Sequence, residues 1–253
     1  MEMKLESIEK ELQQEIQCGL IQGAVIQSSH QQSPLCRGMQ TRELPMTPDS
    51  RFDIASVGKI FTASCCALLV AAGKLDPDAP FTEYLPEHIL GKDCRITVRD
   101  LASHVGGFDN SKPYHVLPPG PFEEKLFQLM PVRERRTQFE YSCANFILLG
   151  RIAERITGKD LDTLARELIW APLGMDQTTW NAPGNGPFEV LHYDPLRTPG
   201  EHNDGDCFHY GKPLGSGSCF STIGDMMKFG LFIVLSHKSH LFLSRDGRQL
   251  KYL

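Results

Sequence analysis

Apolar residues recur at helical spacing near the start of the chain. Leu5, Ile8, Leu12 and Ile16 stand among Glu, Lys and Gln, a pattern that predicts an amphipathic opening helix with one docked face. Gly23 to Ser29 reads as a strand, and a turn at Gln31 to Pro34 leads to a second strand near Leu35 to Met39. Pro45 to Asp49 is a loop, and Arg51 to Ile54 a short extended piece. From Ile60 through Ala72 nearly every residue is apolar or small, and Gly73 follows. That predicts a buried helix with glycine just past its end. Thr97-Val98-Arg99-Asp100 opens a further helix as a capping box, ending at Ser103 to Gly107. A Pro-rich loop from Lys112 to Pro121, with a solvated His115, precedes a helix from Phe122 to Met130. Arg133 to Arg136 reads as a solvated mixed-charge turn.

Another apolar helix is predicted over Phe146 to Ile156, stopped by Gly158. Asp160 caps the next, Leu161 to Trp170, with Pro172 and Gly174 as its stop. Asn181 to Phe220 shows no sustained period and reads as a long loop. Thr222 to Asp225 caps a last helix, Met226 to about Leu235, and His237 to His240 reads as its solvated end.

The composition, 253 residues with 41% hydrophobic and 23% charged, suits one large globular domain or two small ones. A formal net charge of -5 offers no basic surplus for nucleic acid or an anionic membrane surface. The first ten residues are polar and charged, unlike a signal peptide, and no uninterrupted apolar run is long enough to span a bilayer. The expected setting is cytoplasmic and reducing. There the eight scattered cysteines, two of them adjacent at Cys65 and Cys66, are expected as free thiols.

The candidate chemistry sits where the buried helix begins. Ser56 lies in or just before its first turn, where unpaired N–H groups and the positive end of the helix dipole gather. Lys59, one turn on, shares its face. A hydroxyl beside a cation on a helix this apolar suits an activated nucleophile, but a serine opening a helix is more often an N-cap, and this stretch alone favours the cap. His192, Asp194, His202, Asp204, Asp206, Cys207 and His209 cluster in the long loop, but in no familiar ligand spacing, so no metal and no cofactor are expected. Cys36, Cys94 and Cys219 fit no paired motif.

Taken together, several motifs in order resemble the serine β-lactamase and penicillin-binding-protein-like superfamily, nearest to class C-type β-lactamases, DD-peptidases and their esterase relatives. Arg51 to Lys59 looks like the nucleophile segment. Gly73-Lys74-Leu75-Asp76 with Tyr84-Leu85-Pro86 looks like the next landmark. Leu101 to Gly107 is similar to the Ser-His-Thr-Ser-Gly loop, and Tyr141 to Asn145 to the tyrosine motif. Ala171 to Met175 and Phe220 to Asp225 also fit. The resemblance implies an antiparallel sheet flanked by helices plus a mostly helical region, with the active site in the cleft between them. It implies Ser56 as the acylated nucleophile, Lys59 as its neighbouring cation and Tyr141 as general base. On spacing alone, Tyr141 reads first as a buried aromatic with a bonded hydroxyl; with Ser56 and Lys59 in register, the base is preferred.

Two departures from the family pattern bear on function. The family's amide-binding Asn is replaced by Cys143, a weak donor and weak acceptor. Asn145 matches a second, less critical Asn and stands with Cys143 as a candidate substrate contact. The third family motif lies downstream, on strands that would follow Asp246 to Leu250. The expectation is therefore a single incomplete α/β domain over 1–253, its α/β part at about 1–75 and 221–253 and its helical part at about 76–220. The missing strands would leave the Gly23 to Ser29 edge open, with room for self-association. The expected function is a serine hydrolase acting on a small-molecule ester or amide, esters favoured. The alternative is a truncated, catalytically impaired protein with at most a binding role.

Overall fold

The computed structural model of the protein describes residues 5–29, 31–110, 121–184, 186–187, 189–190 and 196–238. In chain order these form α1 (Leu5–Gln17), β1 (Gly23–Ile26), β2 (Leu35–Gly38), β3 (Phe52–Asp53), a 3-10 turn (Ala55–Gly58) and α2 (Lys59–Ala71). There follow α3 (Val98–Ala102), α4 (Phe122–Phe127), α5 (Cys143–Thr157), α6 (Leu161–Ala165), a π-helical turn (Arg166–Trp170), α7 (Ala171–Leu173), α8 (Gly205–Tyr210), β4 (Phe220–Ser221) and α9 (Ile223–Lys238). The architecture is mixed α/β, as expected. No helix among the described residues is long and apolar enough to cross a membrane.

The apolar run read from the sequence is α2, and the core is built on it. Phe61, Cys65, Cys66 and Leu69 are buried along it. Gly73 ends it at φ 70°, a left-handed conformation that residues with a Cβ rarely adopt. Phe61 meets Trp170, Trp180 and Phe229 edge-on, with ring centroids 5.6, 6.2 and 4.8 Å away. Full burial of one such ring contributes about 2–3 kcal/mol. Beside α2 lies α5, which buries Ile147, Leu148, Leu149 and Ile152. The Ser142 hydroxyl caps it by accepting the Ala144 N–H at 3.2 Å, and Gly158 closes it at φ 69°. The loop before β4 runs tight against both helices. A Cβ on Gly215 would come 2.8 Å from the Phe146 carbonyl oxygen, and the Gly215 carbonyl accepts the Thr62 hydroxyl at 2.8 Å.

The strands are less extensive than expected. Among the described residues they form two separate antiparallel pairs, β1 with β2 and β3 with β4. Gly23 faces Gly38 in the first, which α1 covers with the Glu9–Arg37 ion pair; Phe52 faces Ser221 in the second. The partner of the short extended piece thus comes from a distant part of the chain, where no local pattern points to it.

Several boundaries need correction. The Phe122 helix ends at Phe127 rather than near Met130. Pro172 does not stop the helix that precedes it, because it falls in the first turn of α7, where its missing N–H leaves no bond unmade; Gly174 at φ 65° is the stop. The long loop contains α8, capped by Asp204, whose Oδ1 accepts the Cys207 N–H at 2.9 Å. The Arg133 to Arg136 turn is not merely solvated. Arg136 Nε and Arg135 Nη1 donate to buried Asp100 at 2.6 and 3.0 Å. Asp100 is also the third residue of the predicted capping box, accepting the Thr97 N–H at 3.0 Å. Burial would raise its carboxyl pKa, but the Thr97 N–H and the two guanidiniums outweigh it and hold the group below the usual carboxylate range. All eight cysteines are free thiols. Burial pushes Cys66 up to about 12, which leaves it inert at neutral pH. The Lys112 to Pro121 loop with His115, and the segment from Ser239 to Leu253, lie outside the described residues.

Candidate active site

Ser56 stands on a turn that its neighbours hold under strain. Ala55 has φ 46°, sparsely populated for a residue with a Cβ. Asp53 pins it: Oδ1 accepts the Ala55 N–H at 2.8 Å, while Oδ2 accepts the Asn203 N–H at 2.7 Å and the Ser218 hydroxyl at 3.0 Å. The result is an exposed Ser56. It caps nothing, because the N-cap positions of the 3-10 turn and of α2 are Ile54 and Gly58, neither with a side-chain cap bond. The capping reading is therefore set aside. The Ser56 hydroxyl instead accepts a hydrogen bond from Lys59 Nζ at 3.0 Å. The Ser56 N–H has no protein partner among the described residues. Gly217 keeps the space beside it open, since a Cβ there would sit 3.0 Å from the Ala55 carbonyl oxygen and 3.3 Å from Ser56 N.

Lys59 is only 5% exposed. Its ammonium donates to Ser56 Oγ, to the Ser216 carbonyl and, at 3.5 Å, to Cys143 Sγ. Those three bonds use all three N–H groups of the cation. The Tyr141 ring lies over it at 4.9 Å and that of Phe146 at 6.0 Å. No carboxylate pairs with it among the described residues. Hydrogen bonds and aromatic faces thus carry the whole compensation for burying this charge.

Tyr141 arrives on a strap tied to the loop before it: Arg136 N–H donates to the Val105 carbonyl and Glu140 N–H to the His104 carbonyl, both at 2.8 Å. Its side chain fits neither expectation in full. It is 44% exposed, so it is no buried structural aromatic. Its ring faces the ammonium, and its hydroxyl makes no hydrogen bond among the described residues. The structure thus brings Ser56, Lys59, Cys143 and the Tyr141 ring together. It does not bring Asn145, which is wholly buried with Nδ2 3.2 Å from His104 Nδ1. Its amide turns away from Lys59 and Cys143 toward the buried ring of His104.

Three residues near the site carried no role in the sequence reading. Asp53 holds the nucleophile turn. His104, at φ 55°, accepts the Ser142 N–H on Nδ1 at 3.2 Å and stacks on Tyr141, centroids 4.8 Å apart. Burial first, and then the charge of Lys59, pushes the pKa of His104 below its ordinary value. Asn110 accepts the Cys143 N–H on Oδ1 at 2.7 Å. Asp53 and His104 stood inside motif segments that drew attention to other residues; Asn110 follows no local pattern.

The loop residues weighed as metal ligands take other partners. His202 is buried with Nδ1 3.2 Å from the Ser218 carbonyl, Asp204 caps α8, and Cys207 is buried in the core. His192 and Asp194 lie outside the described residues.

Comparison with known proteins adds a family. The sequence model of the Beta-lactamase family matches residues 12–251. An Escherichia coli (strain K12) protein with the provisional name D-alanyl-D-alanine carboxypeptidase is 28% identical over 217 residues, which is 71% of this chain and 50% of that protein. The chain thus spans about half the length of the curated relatives it matches. Among solved structures, a beta-lactamase/D-alanine carboxypeptidase from Pseudomonas syringae superposes with a TM-score of 0.73 at 22% identity, over 88% of this chain and 63% of that one. The D-amino acid amidase of Ochrobactrum anthropi SV3, complexed with D-phenylalanine, gives 0.69 at 26% identity, over 91% and 71%.

Proposed function

The chain belongs to the beta-lactamase family, and from that premise we propose that it is a serine hydrolase acting on a small-molecule ester or amide through an acyl-Ser56 intermediate. One observation carries the reading: an exposed serine hydroxyl, freed from capping duty, lies 3.0 Å from a buried ammonium. Ser56 Oγ attacks the carbonyl carbon, and Tyr141, acting as its phenolate beside the Lys59 ammonium, accepts the hydroxyl proton. Lys59 cannot accept it in this geometry, because all three of its N–H groups are donating. Its role is to hold positive charge beside the developing oxyanion and the attacking oxygen. The Ser56 N–H is one oxyanion donor, and a donor of this kind is worth about 3 kcal/mol in the transition state. Tyr141 then returns the proton to the leaving group. Water repeats the cycle, releasing the acid and restoring Ser56.

Esters are favoured over β-lactams, because Cys143 stands where the family's amide-binding Asn would be and a thiol bonds weakly. The site falls where the α/β part, about 1–75 and 221–253, meets the helical part, about 76–220, of one domain. The test is labelling with a fluorophosphonate probe and turnover of an activated ester, with the adduct located by mass spectrometry. Labelling at Ser56, abolished in Ser56→Ala, is the expected result. A folded sample that stays unlabelled at Ser56 would refute the reading and leave the catalytically impaired, binding-only alternative.

A further inference from the structure

We propose that His104 is a positioning residue for Tyr141, that it works only as the neutral imidazole, and that one proton on its Nδ1 switches the site off. The inference rests on the acyl-Ser56 reading above. His104 lies just past the end of α3, 8% exposed and held at φ 55°. Its Nδ1 accepts the Ser142 N–H at 3.2 Å and lies 3.2 Å from Asn145 Nδ2. A backbone N–H can only donate, so Nδ1 carries no proton and the ring proton sits on Nε2. The Asn145 amide must then present its NH2 group as a second donor. That leaves Asn145 Oδ1 buried without a partner among the described residues. One nitrogen lone pair is thus shared by two donors, while the other arm of the same amide holds an unused acceptor.

A proton on Nδ1 reverses the arrangement. The ring turns from acceptor to donor, the Asn145 amide turns over, and Oδ1 gains the hydrogen bond it lacks. The Ser142 N–H then faces another N–H and loses its acceptor. Ser142 is the N-cap of α5 and follows Tyr141 in the chain. On the other side of Tyr141, the Glu140 N–H donates to the His104 carbonyl at 2.8 Å. Both chain neighbours of Tyr141 are therefore bonded to His104, and the Tyr141 ring rests on the imidazole with planes 32° apart. Releasing Ser142 displaces the phenol from its place over Lys59. The groups packed around the imidazole favour its neutral form. Lys59, from α2, is the charge that acts on it, and Tyr141 is the titratable group stacked on it. From α5 come only the uncharged Ser142, Asn145 and Phe146. The carboxylates on the adjoining segments are taken, Asp100 by Arg135 and Arg136 and Glu140 by Arg133. The working form is thus the one present at neutral pH.

The test follows kcat/KM for an activated ester against pH, alongside NMR shifts of the His104 ring, the Ser142 amide and the Asn145 side chain. In the wild type an acid limb is expected below about pH 6.5, with the three resonances moving together at its midpoint. In His104→Asn, Oδ1 takes the place of Nδ1, asparagine tolerates the positive φ, and nothing there can be protonated. This limb should vanish while the rate at neutral pH stays within about tenfold of wild type. Asn145→Asp sets a carboxylate beside Nδ1, favours the imidazolium, and should move the limb up by about one pH unit or more. A merely structural role would lower the rate or the melting temperature in both variants and leave the limb in place. If Asn145→Asp does not fold, His104→Asn decides alone. A limb unmoved in the folded variants, or resonances that do not follow it, overturns the inference and leaves the serine hydrolase standing. A wild type that forms no acyl-Ser56 at any pH overturns both.

Discussion

Replacing Lys59 by methionine should slow acylation about a thousandfold and leave stability nearly unchanged. Methionine keeps the length and apolar body of the side chain and removes the charge and its donors. On the losing side are the bonds to Ser56 Oγ and the Ser216 carbonyl, the longer one to Cys143 Sγ, and the contact with the Tyr141 ring at 4.9 Å. Hydrogen bonds from a cation contribute about 1.5–3 kcal/mol each and a desolvated cation–π contact about 2 kcal/mol. On the gaining side, an ammonium that is 5% exposed, with no carboxylate paired to it among the described residues, carries a desolvation penalty of several kcal/mol. Methionine buried there adds about 1.5–3 kcal/mol of favourable transfer. The two sides cancel to within about 2 kcal/mol, or roughly 4–8 °C in melting temperature for a chain of this size. Acylation has no such offset. Losing the cation beside the nucleophile is expected to slow it about a thousandfold, or about 4 kcal/mol of barrier. Thermal melts together with time courses of fluorophosphonate labelling measure both quantities. A Lys59→Met protein that labels within about tenfold of wild type would refute the reasoning, as would one so unstable that it does not fold.

Two further predictions concern the scaffold. Burial pushes the pKa of His88 down to about 4, whereas an unfolded histidine titrates near 6.5. Between those values the unfolded chain binds a proton that the folded one refuses, so stability is fully present above about pH 6.5 and falls as the pH drops toward 4. His104 is shifted in the same direction, so in a series of melts His88→Leu should flatten this slope without erasing it; an unchanged slope would count against the assignment. Gly107→Ala places a Cβ 2.2 Å from the Arg133 carbonyl oxygen at φ 87°, which should cost about 2–4 kcal/mol and displace the strap that carries Tyr141. Lower melting and slower Ser56 labelling should appear together, and a variant that melts like wild type would show that the strap gives way easily.

Much of this was legible in the chain because it is local. The apolar run of α2, its Gly73 stop, the capping box at Thr97 and Asp100 and the Gly158 end of α5 all depend on residues within one or two turns of each other. Helical period and capping chemistry encode such features directly. The spacing of Ser56 and Lys59 belongs to the same class: one helical turn brings the hydroxyl and the ammonium together, and their bond follows. What the sequence could not determine are contacts between segments far apart along it. Whether Ser56 capped a helix or stood exposed depended on Asp53, Asn203 and Ser218 holding its turn. Which way the Asn145 amide turned depended on where His104 came to rest. Asn110 meets Cys143, and Asp100 meets Arg135 and Arg136, only because the segments between them fold back. Periodicity reports which face of an element is buried; what lies against that face is decided by the packing of the whole chain.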